Sequence, residues 1–155
     1  MTGDDIKFIQ FELWKECPHK HEFCFNSGCI SQDKEKTLDF VLEKIKSSEV
    51  DSYNQLGFIG GELFGKELDN PAVKTKFYSL IHAVCEKIVA GLFSKFYLTS
   101  SLVFEDAGSL HETLDIIRDY GCLDKTVLCT SYDVKYRFAP GEEDIWKRNM
   151  SVLFS

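Results

Sequence analysis

Cys17-Pro18-His19-Lys20-His21-Glu22-Phe23-Cys24 places two thiols and two imidazoles within eight residues, and Cys29 follows closely. Thiolate is a soft metal ligand and imidazole a borderline one, so the stretch suits zinc or an iron-sulfur cluster better than a hard cation. It comes directly after the apolar run Phe8-Ile9-Gln10-Phe11-Glu12-Leu13-Trp14. That order reads as a strand ending in a ligand loop.

Three further polar sets follow strand-like runs. Gly60-Gly61-Glu62 follows Leu56 to Ile59, Thr99-Ser100-Ser101 closes the run from Lys95, and Ser131-Tyr132-Asp133 follows Lys125 to Thr130. Between them lie helical patterns. Leu38, Val41, Leu42 and Ile45 recur at three- and four-residue spacing from about Lys36. Asn70-Pro71 supplies a capping residue and a proline at the first helical position, ahead of Val73, Phe77, Leu80, Ile81, Val84 and Ile88. Ser109 is the expected cap of a helix carrying Leu110, Leu114 and Ile117, with Gly121 as its stop, and a last helix covers about Glu142 to Val152 and carries Ile145, Trp146 and Met150.

Strands alternating with helices predict βαβ crossovers and a parallel sheet with helices against it. About four such units over residues 1–155 predict one α/β domain with the form of a half TIM-type barrel, helices outside. In such sheets ligands gather at the carboxyl ends of the strands, so the four polar sets form one candidate site.

Composition narrows the partners. The chain has 155 residues, 44% hydrophobic and 14% aromatic, enough for a single core. Its formal charge of −7 repels phosphate backbones and anionic membrane surfaces, and no nucleic-acid partner is expected. No apolar run reaches the roughly 20 residues that span a bilayer. The amino terminus Met1-Thr2-Gly3-Asp4-Asp5 has no basic start and apolar core, so a cytoplasmic location without a membrane partner is expected, and the six cysteines read as reduced thiols. Cys85 and Cys129 are expected in the core, Cys122 is compatible with core or surface, His82 is expected packed and hydrogen-bonded near a buried helix stripe, and His111 exposed.

Cys17-x3-His21-x2-Cys24 after the first strand, Gly60-Gly61-Glu62 after the second and polar strand ends further on together resemble the radical S-adenosylmethionine family, in its chain order and over nearly the whole chain. The resemblance implies a 4Fe-4S cluster with an open iron that takes S-adenosylmethionine, and 5′-deoxyadenosyl radical chemistry on a substrate. It implies metal ligands at Cys17, His21 and Cys24, with Cys29 as the alternative third ligand. Gly60, Gly61 and Glu62 would then form a shelf for the methionine amino group, Phe23 would lie against adenine, and Ser131 and Asp133 would serve the ribose or carboxylate end.

The chain departs from the family at His21, which replaces the middle cysteine and predicts a less tightly held cluster. Leu63 stands where the family often has proline, and Ser100-Ser101 where it often has Asn-Gly. Four units are fewer than the family core carries, which implies an open sheet edge covered by a partner chain, a homodimer or a continuation of the gene. The same ligand stretch also admits a noncatalytic, zinc-stabilised interaction domain, with Cys17, Cys24 and Cys29 joined by His19 or His21.

Overall fold

The structure is a computed structural model that describes residues 5–15, 33–130 and 138–154. Four strands, β1 (Phe8–Glu12), β2 (Gln55–Ile59), β3 (Lys95–Thr99) and β4 (Thr126–Cys129), alternate with four helices, α1 (Lys34–Lys46), α2 (Pro71–Val89), α3 (Gly108–Asp119) and α4 (Glu142–Val152). The protein is a mixed α/β fold. Among the described residues the strands are all parallel in the order β1-β2-β3-β4, each pairing with its sequence neighbour.

Register sorts the two faces of the sheet. Phe11 lies opposite Phe58, Phe58 opposite Leu98 and Leu98 opposite Leu128, while Leu56 lies opposite Phe96. Leu56, Phe58, Phe96 and Leu98 are fully buried, with the Phe58 and Phe96 rings edge to face at 5.4 Å. Burying four such side chains is worth roughly 1.5–3 kcal/mol each, and this row anchors the core. Helix α2 packs between α1 and α3, so the three helices form one layer. The alternate residues make the other face, which is part-exposed and largely polar. There Phe8 crosses Gly57 to meet Tyr97 edge to face at 5.5 Å, and a Cβ at Gly57 would lie 2.9 Å from the Phe8 ring.

Helix ends follow local chemistry. Asn70 Oδ1 accepts from the Ala72 and Val73 amides at the start of α2, and Gly121 takes a left-handed φ of 71° just past α3. At two helix starts and at His82 the structure differs from the sequence expectation. Helix α1 starts at Lys34 because Asp33 caps it through the Lys36 amide. Ser109 is not the cap of α3: it lies inside the first turn, and the Asp106 carboxylate takes the Gly108 amide instead. His82 is hydrogen-bonded as expected, its Nδ1 3.0 Å from the Tyr120 hydroxyl, but it is exposed and not packed, since it sits one position past the buried pair Leu80 and Ile81.

The three described cysteines divide as their surroundings dictate. Cys85 is in the core as expected, and burial pushes its thiol pKa up to about 12. Cys122 joins it, with its thiol against the Cys85 carbonyl, while Cys129 is only half-buried on the polar sheet face. His111 is exposed, as its place in a first helical turn suggests.

Candidate functional site at the strand ends

Parallel pairing brings the carboxyl ends of all four strands to one edge, where a belt of hydrogen bonds joins them. The Gly61 amide donates to the Trp14 carbonyl at 3.0 Å, and the Trp14 indole donates to the Glu62 carbonyl at 2.9 Å. Gly60 permits this approach, because a Cβ there would lie 2.9 Å from the Trp14 carbonyl oxygen. Glu62 itself is fully buried.

The Glu62 carboxylate faces inward. Its Oε1 accepts from the Phe64 amide at 3.1 Å and the Ser100 hydroxyl at 2.6 Å, and its Oε2 accepts from the Ser101 amide at 2.7 Å and from the Ser101 hydroxyl. Four donors match the roughly four lone-pair directions of a carboxylate. The two serine hydroxyls in turn accept from the Leu102 and Val103 amides.

From there the belt runs to β4 and α4. The Ser100 amide donates to the Cys129 carbonyl, the Thr130 hydroxyl to the Ser101 carbonyl, and the Trp146 indole to Thr130 Oγ1 at 3.2 Å. Asn149, fully buried on α4, donates to the Leu102 and Phe104 carbonyls at 2.9 and 2.8 Å. These bonds hold Leu102 at a left-handed φ of 58°, a strained conformation for a residue with a branched side chain.

No protein-family model, curated protein or solved structure matches the chain. The site must be judged on its residues.

Gly60, Gly61 and Glu62 meet the end of β1 and the Ser100-Ser101 pair, as a shared strand edge requires. Cys17, His21, Phe23, Cys24 and Cys29, with Ser131 and Asp133, lie outside the described residues. In sequence they follow β1 and β4. Among the described residues no group of three or more His, Cys, Asp or Glu side chains is placed to hold a metal ion. For S-adenosylmethionine the fit is incomplete: the Glu62 carboxylate has all its acceptor directions committed within the fold, so a direct bond to an ammonium group does not fit as it stands.

Sequence reasoning missed two polar groups at this edge. Glu12, the last residue of β1, has one carboxylate oxygen buried without a hydrogen-bond partner, and Asn149 has the same at Oδ1. A lone carboxylate in an apolar strand was the available sign for Glu12. Asn149 carried no local sign.

Beside the belt a cavity of about 490 Å3 opens between the segment after β2, the segment after β3 and the first turn of α4. Phe64, Val103, Phe104 and Ile145 supply its apolar lining. The Phe64 ring sits 6.1 Å from both the Phe104 ring and the Phe77 ring of α2, which fixes the floor to the core. Its size and position at the strand ends are those of a small-molecule site in an α/β fold.

Proposed function

We propose that the chain is a radical S-adenosylmethionine-type domain, a singly wound half of a TIM-type barrel that binds a 4Fe-4S cluster at Cys17, His21 and Cys24, with Cys29 as the alternative to His21. The observation that supports it is the convergence of strand ends. The chain enters the Cys17 stretch from the edge that carries Gly60-Gly61-Glu62, Ser100-Ser101 and Thr130, in the family's chain order. A strand order that never reverses also favours a barrel segment over a doubly wound sheet, whose order reverses at a switch point.

The bound cofactors would supply the radical chemistry, and the protein's part is to orient and shield them. In this reading Gly60 and Gly61 present backbone at the shelf, while Glu62 holds that shelf to β3 through its serine bonds. Phe23, Ser131 and Asp133 remain the residues proposed for adenine and for the ribose or carboxylate end.

Purification without oxygen, reconstitution with iron and sulfide, and assay of both tests the proposal. About four irons and four sulfides per chain are expected, with better retention in His21→Cys. Stoichiometric zinc without sulfide, with unfolding on chelation and no gain from His21→Cys, would establish the zinc-stabilised interaction domain instead. Where a cluster forms, reductive cleavage of S-adenosylmethionine measures the activity.

A further inference from the structure

The cavity beside the belt has an apolar floor and an acidic mouth. Phe64 and Phe104 are buried and set 6.1 Å apart at 57°, giving a rigid aromatic surface, and Val103 and Ile145 extend it. Around that floor stand Asp69, Glu105, Asp106 and Glu142, against one ammonium among the described lining residues, that of Lys66. Two of the carboxylates are fixed in direction: Asp106 Oδ1 accepts the Gly108 amide at 2.8 Å, and Glu142 Oε2 accepts the Ala139 amide at 2.8 Å.

Among the described residues a further cation, Arg148, stands beside this lining: its guanidinium donates to the Phe104 and Glu105 carbonyls and lies 3.9 Å from the Glu105 carboxylate. Both of those side chains are largely exposed, so that pair screens the mouth only weakly.

The lining decides among ligand classes. An anion would meet four carboxylates in a chain already at −7. A hard metal ion needs a shell of oxygen ligands, and here the carboxylates ring an apolar floor that offers none. An organic cation meets both requirements: its apolar body covers the aromatic floor, and its charge sits at the mouth and over the ring faces.

We propose that this cleft binds a small organic cation, a primary amine or quaternary ammonium carried on an apolar body about the size of one ring. The site is built from the segments after β2 and β3 and from α4, and it stands whether or not a cluster forms near Cys17.

The test uses the full chain as purified and three matched probes, phenethylammonium, 2-phenylethanol and phenylacetate, titrated by calorimetry and by amide-shift mapping at low and high salt. Phenethylammonium should bind most tightly, phenylacetate least, with the gap narrowing at high salt. Shifts should centre on Gly65, Phe104 and Ile145. The double variant Asp69→Asn, Glu105→Gln changes two exposed side chains and should weaken phenethylammonium about five-fold while leaving 2-phenylethanol unchanged. Phenylacetate binding as tightly as the amine, no binding by any probe at millimolar concentration, shifts centred elsewhere, or an unchanged preference in the double variant would each overturn the proposal.

Discussion

At the scale of single residues, Glu62 decides how the strand ends hold together. Its carboxylate is buried and accepts from two amides and two hydroxyls, so its removal leaves several donors without partners in a dry place. Glu62→Ala should therefore destabilise the fold by about 3 kcal/mol or more, and Glu62→Gln by about 2 kcal/mol, because an amide NH2 would face two donors. Urea unfolding measures both, and a Glu62→Gln protein as stable as the parent would refute the bracket. A double-mutant cycle with Ser101→Ala should show strong coupling. In sequence Gly60-Gly61-Glu62 and Ser100-Ser101 were each legible as polar strand ends. Their bonding to each other was not, because the partners stand 38 and 39 positions apart and sequence carries no sign of which way a carboxylate turns.

At the scale of elements, the segment after β3 is shaped from two sides, by its own serine hydroxyls and by α4. Leu102 holds its left-handed φ because its carbonyl and that of Phe104 are both taken by the Asn149 amide. Asn149→Ala should cost about 2 kcal/mol, and Asn149→Asp more, since it turns two donors into acceptors facing carbonyls. Thermal unfolding ranks the pair, and an Asp variant at least as stable as the Ala variant would sink this account. Much of the element order was legible. Asn70-Pro71 and Gly121 mark ends through local backbone chemistry, and β3 and α4 lie where the patterning put them. The patterning marked side chains of α4 that pack, since Trp146 and Met150 lie against the core, but not its most buried residue. Ile145, Trp146 and Met150 are half-buried while polar Asn149 is fully buried, because its partners are carbonyls 45 and 47 positions away. Ser109 failed as a cap for a related reason: any small polar residue near a helix start looks alike in sequence, and Asp106 had the better geometry.

At the scale of the whole molecule, sheet order sets a gradient of stability. Strands β2 and β3 have bonded neighbours on both sides, and the fully buried row Leu56, Phe58, Phe96 and Leu98 lies on them. Above that row α2 is flanked by α1 and α3, with eight buried residues along its length. Strands β1 and β4 each pair on one side among the described residues, and all of β4 is half-buried. Edge strands of this kind open without unfolding the centre, since fewer buried contacts are lost. Native-state hydrogen exchange should therefore find the bonded amides of β2, β3 and α2 slowest and close to the global unfolding free energy, with those of β1 and β4 lower by about 2 kcal/mol. No helix among the described residues is long and apolar enough to cross a membrane. The measurement is to be repeated at several protein concentrations. Protection of β4 equal to that of β3 and rising with concentration would contradict the gradient, because it requires a second chain to pair with the open edge.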